Sequence, residues 1–175
     1  SRHTPSWRSG FKLMKKRTPR EKNLDSRQIG WSESVALPER GIKSMSAKID
    51  TVARTSALNT DNLERIERNG DVWVSFTLPA AGRRSTVRYE AKLADTRNIK
   101  NTGGIAETRP IIETVLVLGK RAWVIEISLA DRENMKFDMI VGRTALRKKR
   151  LIVNPGRSFL AGEPVGPSTM TSRQT

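Results

Sequence analysis

Residues 47–53 read Ala47-Lys48-Ile49-Asp50-Thr51-Val52-Ala53. Two short strands are predicted over 34–37 and 44–49, joined through Pro38 and Gly41, and the second runs directly into Asp50. An aspartate held at the end of a buried strand is a candidate catalytic group, because hydrogen bonds and neighbouring charges there set its protonation state. The Thr51 hydroxyl can lock the loop, and the small residues that follow leave room for a substrate backbone. The same residues also fit a plainer role, an aspartate that caps a turn where a strand ends.

Working outward, Ile140-Val141-Gly142-Arg143 is the second distinctive block. A short strand is expected over 139–141, broken by Gly142 and followed by one or two helical turns over 143–149. The pattern over 111–118 and 122–129, split by Gly119-Lys120, predicts a tight hairpin. A second hairpin is predicted from 71–78, with Val72, Val74 and Phe76 on one side, back through 85–93. Thr60 or Asn59 can cap a short helix through Arg68, with Leu63 and Ile66 on one face and Gly70 beyond its end. Residues 95–108 carry Gly103 and Gly104 amid polar side chains and read as a mobile loop or hairpin tip. Regular structure starts near Ile29 and ends with 151–153, before Asn154-Pro155-Gly156. Trp73 and Trp123 fall in strands and read as core packing.

The composition narrows the chemistry. At 175 residues the chain suits one domain. It has no apolar run near the ~20 residues that span a bilayer, so no membrane partner is expected. With no Cys, thiol catalysis and thiolate metal sites are excluded, and a single His, His3 in the N-terminal tail, argues against a Ser-His-Asp triad. Carboxylates remain for acid-base work, and no metal and no cofactor are expected.

The charge is unevenly placed. Seven Lys or Arg and no acid fall in residues 1–20, and seven against Glu163 alone fall in residues 143–175, within a total of +15. The body between is nearly neutral. The expected organisation is a basic arm over 1–28, a β domain over 29–160 and a tail over 161–175. Such arms suit a polyanion such as RNA, as they also suit plain solubility. Candidate RNA contacts are Arg8, Lys12, Lys15, Lys16, Arg17, Arg20, Arg147, Lys148, Lys149 and Arg150. The first twenty residues, rich in Arg and Ser and free of acid, also read as a targeting segment. The expected compartment is the cytoplasm, with the mitochondrial matrix as the alternative.

The two blocks together, residues 47–53 and the hydrophobic-hydrophobic-Gly block at Ile140, Val141, Gly142 and Arg143, resemble the retropepsin-like aspartic proteases. Ile29-Gly30-Trp31, residues 48–58, Glu107-Thr108-Arg109-Pro110 with Glu113-Thr114, and residues 154–160 (NPGRSFL) narrow the resemblance. They are similar to the bacterial retropepsin-like family often labelled an ATP-dependent zinc protease and associated with the ribosomal-protein glutamate ligase system. The resemblance covers roughly 29–160. It implies a mostly β, closed domain with one or two short helices that works as a homodimer. Asp50 from each chain would meet its twin at a two-fold axis and hydrolyse peptide substrates, since two carboxylates in contact share a proton and activate water. By the same resemblance Thr51 would brace the interface, and Gly103 and Gly104 would belong to a flap. The zinc of the label finds no thiolate here and only a tail imidazole.

The chain departs from the family pattern at Val52, where the pattern has Gly. A β-branched residue restricts φ and ψ and adds two methyls. Two functions therefore compete at this level: an aspartic endopeptidase acting through paired Asp50, and a catalytically inactive module of the same fold that docks on RNA or a ribosome through its basic arms.

Overall fold

The structure is a computed structural model that describes residues 26–79, 87–100, 103–131 and 136–167. Among these residues the regular structure is twelve strands, one α-helix and a 3-10 turn at Pro38–Arg40. Six of the strands close a barrel: β2 (Ser32–Leu37), β3 (Ile42–Ile49), β11 (Met139–Val141), β4 (Ser56–Asn59), β10 (Arg121–Ala130) and β9 (Ala106–Leu118), which pairs back onto β2. The closed, mostly β domain implied by residues 47–53 and 140–143 is thus present. Closure removes the free edges that an open sheet would expose.

Inward side chains fill this barrel. Val35, Leu37, Ile49, Leu58, Leu116, Ile125, Ile127, Leu129, Met139 and Val141 are buried in one cluster. Burying each large aliphatic side chain contributes roughly 1.5–3 kcal/mol, so this cluster fixes the register that places the loops. The β9–β10 hairpin turns through Gly119-Lys120 with Leu118 opposite Arg121. The positive φ of 58° falls on Gly119, as a tight primed turn requires.

A second sheet of three strands, β5 (Asp61–Arg68), β6 (Asp71–Thr77) and β7 (Tyr89–Lys92), packs Val74, Phe76 and Ala91 onto the same core. Residues 61–68 were expected to be helical and are instead strand β5, paired with β6. The reason lies in Asn69-Gly70. Both take positive φ, 50° and 82°, so the glycine that could end a helix serves as the second half of a tight hairpin turn. Because β5 is solvated on most of its surface, its polar residues carry no strand alternation.

Of the two forms expected for residues 95–108, a mobile loop or a hairpin tip, the second is present: β8 (Asp95–Lys100) forms a ladder with the first half of β9, and Gly103 and Gly104 sit near the tip between the two arms. Here too both faces are polar and the period-2 signal is missing.

β1 (Gln28–Gly30) pairs in parallel with β12 (Ile152–Asn154) outside the barrel. Buried Glu33 holds this region together, accepting from the Ala161 amide at 2.8 Å and the Gly30 amide at 3.4 Å. Residues 165 and 166 then donate to the Gly119 carbonyl, so the chain beyond residue 160 starts out against the barrel. Residues 1–25, with candidate contacts Arg8, Lys12, Lys15, Lys16, Arg17 and Arg20, lie outside the described residues. Among the described residues no helix is long and apolar enough to cross a membrane.

Candidate functional site

Asp50 closes β3 as the sequence suggests, and the topology around it explains why the chain must turn there. β11 lies between β3 and β4, parallel to the first and antiparallel to the second. The segment joining β3 to β4 therefore has to pass over the end of β11. That passing segment is residues 50–55, and the Asp50 amide donates to the Val141 carbonyl at 2.9 Å.

The carboxylate organises its own loop. Asp50 Oδ1 accepts from the Val52 amide at 2.9 Å and the Ala53 amide at 3.1 Å. This is the turn-capping geometry, and it coexists with a site role: one oxygen is fixed by backbone, while Oδ2 has no partner among the described residues. The side chain is half-buried and lines a cleft.

Helix α1 (Arg143–Lys148) then fastens the loop from behind. Its first amides have no side-chain cap. They are satisfied by loop carbonyls: Arg143 N donates to Ala53 O at 2.7 Å and Thr144 N to Arg54 O at 3.1 Å. Gly142 N donates to the Ser56 hydroxyl at 2.9 Å, and Ser128 Oγ donates to the Ser56 carbonyl at 3.1 Å. A Cβ on Gly142 would stand 2.7 Å from Thr55 C and 2.9 Å from Ser56 N. Only glycine lets the two backbones approach this closely. Residues 50–53 and 140–143, two separate blocks in sequence, are thereby one unit in space.

The cleft in front of Asp50 holds about 900 Å³. Its far wall is the β8 arm of the hairpin, through Arg97, Asn98, Ile99 and Lys100, while Val124, Ile125 and Glu126 of β10 form its side. Arg97 bridges the hairpin to that side: its guanidinium donates to Glu126 Oε2 at 2.6 Å and Oε1 at 3.1 Å, and to Asp95 Oδ2 at 2.8 Å. Bidentate pairing of this kind is among the stronger charge-assisted contacts. The hydrogen bond from Arg97 holds the Glu126 carboxyl below the usual glutamate range, with the Arg97 and Lys148 charges adding to the effect. Arg97 itself is pushed up, first by Glu126 and then by Asp95.

Of the residues singled out in the sequence, Asp50, Val52, Ala53, Arg109, Glu113, Ile140 and Lys148 line the cleft, whereas Val141, Gly142 and Arg143 support its floor from behind. Gly103 and Gly104 belong to the hairpin but do not line the cleft. Val52 is 84% exposed and has no positive φ, so within one chain the conformational objection to a β-branched residue does not arise. Arg109 is buried and paired with Glu107 at 3.1 Å, a local pair two residues apart. Glu113 instead lies opposite Glu126. Arg147, Lys148, Lys149 and Arg150 are exposed on and after α1.

Ser56, Arg97 and Glu126 were not foreseen. Ser56 carried a weak signal, a small polar residue at the head of Ala57-Leu58, but the ion pair joins strands whose adjacency no local pattern reveals. Among the described residues no group of three or more His, Cys, Asp or Glu is placed to hold a metal ion.

Comparison with known proteins now bears on this geometry. Residues 28–164 match the family described as RimB-like, "Retropepsin-like aspartic endopeptidase RimB". Curated relatives named "Probable alpha-L-glutamate ligase" include one from Shewanella pealeana, 39% identical over 137 residues. Others come from Desulfotalea psychrophila, at 39%, and Parasynechococcus marenigrum, at 36%. The match takes in 77% of this chain and only 30% of the Shewanella pealeana protein, so the chain spans under a third of the length of these relatives. A crystal structure of a Legionella pneumophila protein of unknown function shares the fold, with TM-score 0.64 and 24% identity over 77% of this chain and 97% of that one.

Proposed function

Since the chain belongs to the RimB-like family of retropepsin-like aspartic endopeptidases, we propose that it hydrolyses peptide bonds as a homodimer built around two Asp50 carboxyls. The observation that carries this reading is the fixed Asp50 loop: Oδ1 is held by the Val52 and Ala53 amides, and Oδ2 has no partner among the described residues beside a peptide-sized cleft.

One chain supplies one such carboxyl. When two meet at a two-fold axis, like charge prevents both from ionising, and a single proton is shared between them. The ionised member takes a proton from water as the water oxygen attacks the scissile carbonyl carbon, and the protonated member donates to the carbonyl oxygen. The same pair then passes a proton to the leaving nitrogen as the C–N bond breaks. The β8–β9 hairpin acts as the flap that covers substrate, tethered by Arg97 to Glu126.

The cleft lining also bears on substrate class. Arg54, Arg97, Lys100, Arg109 and Lys148 outnumber Asp50, Glu113 and Glu126, which favours peptides that carry carboxylate side chains. The relatives' printed name, a ligase of alpha-L-glutamate, is consistent with that class. The proposed place of action is the cytoplasm.

A library of peptides incubated between about pH 3 and pH 7 tests the reading. Cleavage with an acidic optimum, abolished in Asp50→Asn, is the expected result. No cleavage by the wild-type chain, or equal cleavage by the variant, overturns it. The second reading, a binding module without turnover, rests on Val52 at the family's glycine position and on the basic residues after Gly142. It requires RNA binding that weakens steeply with salt while no peptide is cleaved.

A further inference from the structure

A second cavity of about 490 Å³ lies on the other side of the Asp50 loop, bounded by Thr51, Arg143, Arg147 and Arg150 over an apolar floor that includes Leu146. Arg143 and Arg147 stand one turn apart on α1, and Arg150, past the helix end with φ of 51°, is turned back by its amide's bond to the Arg147 carbonyl at 3.1 Å, so that three arginines border one cavity. No acid lines it. None of the three guanidiniums has an ion pair or side-chain hydrogen bond among the described residues, and the Thr51 hydroxyl has none either. Four arginines of the strands are by contrast paired with acids: Arg68 with Glu90, Arg88 with Glu64, Arg97 with Glu126 and Arg109 with Glu107.

We infer that this cavity binds the phosphate groups of single-stranded RNA, and that its occupancy promotes the dimer that pairs the two Asp50 carboxyls. The second half rests on the protease reading above. If two Asp50 loops meet at an axis, each Thr51 lies beside it, and the cavities that contain Thr51 flank the seam. Six guanidiniums then border an interface whose acids are the two Asp50 carboxyls sharing one proton, so an excess of positive charge opposes assembly until an anion neutralises it.

Phosphate is the favoured anion because each guanidinium presents its N–H groups as a rigid fork that matches phosphate oxygens in pairs. The cavity contains no aromatic residue on which a base could stack, so recognition is of the backbone and indifferent to sequence. Exposed Lys149 follows α1 next to Arg150, whereas Lys148 turns to the Asp50 cleft and donates to the Val124 carbonyl at 3.2 Å. Linkage makes the coupling reciprocal: RNA tightens the dimer by the factor by which the dimer tightens RNA.

The test is sedimentation velocity on the full chain, alone and with an oligouridylate of about twelve nucleotides. The same pair of runs is made on Arg143→Gln/Arg147→Gln/Arg150→Gln, and peptide cleavage is followed in parallel. The expected result is a dimer dissociation constant lowered at least about tenfold by RNA in the wild type and unmoved in the variant. If the triple variant fails to fold, Arg147→Gln alone is expected to lose part of the effect. The wild-type RNA effect should fall with log salt at about 0.7 per phosphate held.

The inference is overturned if the variant dimerises with RNA as the wild type does, or if polyglutamate of equal charge drives dimerisation equally. It is also overturned if the RNA-free chain is already a salt-insensitive dimer that cleaves peptide through Asp50, in which case the protease reading stands without it. A chain that stays monomeric and inactive under every condition removes both.

Discussion

The Gly142 amide donates to the Ser56 hydroxyl at 2.9 Å across 86 residues of sequence, and this bond locks the loop that begins at Asp50 to the turn that begins helix α1. Both partners are buried. Replacing Ser56 with Ala strands a buried N–H, which costs about 1–3 kcal/mol. Urea denaturation of Ser56→Ala should show that loss, and kcat should fall with it as Asp50 loses its fixed position. An unchanged midpoint and kcat would mean the bond holds nothing in place.

Gly142→Ala should be worse tolerated than its chemistry suggests, because the new methyl would stand 2.7 Å from Thr55 backbone. Overpacking of this kind costs typically about 1–3 kcal/mol. Gly156→Ala is the matched control, since its added Cβ meets only Asn154 Oδ1 at 3.5 Å and stability should stay nearly constant. Thermal melts of the two variants decide the matter; equal effects would deny the close approach at Gly142.

Much of this arrangement was legible in the sequence, and the exceptions have physical causes. The strand into Asp50, the hydrophobic run into Gly142, the short helix after it and the hairpin at Gly119-Lys120 all follow from apolar pattern and turn chemistry, and all are present. The helix expected up to Arg68 became β5, because Asn69-Gly70 takes two positive φ angles and returns the chain as a hairpin. β8 was hidden for a related reason: a strand solvated on both faces shows no alternation for the eye to find. The Arg97–Glu126 pair was invisible because its partners are 29 residues apart and belong to strands with no ladder between them.

Val52→Gly should change stability little. The side chain is 84% exposed and its φ is not left-handed, so the variant loses only backbone restriction, about 0.5–1 kcal/mol. A melt that shows a much larger loss would mean Val52 packs against something within the folded chain.

The Arg97–Glu126 tether gives a pH dependence with a definite sign. The Glu126 carboxyl is held below its ordinary value by Arg97, so its contribution is fully present above the ordinary glutamate pKa of about 4.3 and disappears as pH falls through the lowered folded value. Both side chains are more than a third exposed, and solvent screening limits the pair to about 1 kcal/mol or less. Glu126→Gln should therefore be slightly less stable than wild type near neutrality, with the difference shrinking as pH falls below the ordinary glutamate range. A difference that grows on acidification would reverse the assignment.

Subunit mixing tests the pairing of Asp50 most directly. Wild-type chain is mixed with increasing Asp50→Asn chain at constant total concentration, allowed to exchange partners, and assayed for peptide cleavage. If one active centre needs an Asp50 from each of two chains, activity falls with the square of the wild-type fraction. A decline in simple proportion to that fraction would contradict it, since each chain would then be acting alone.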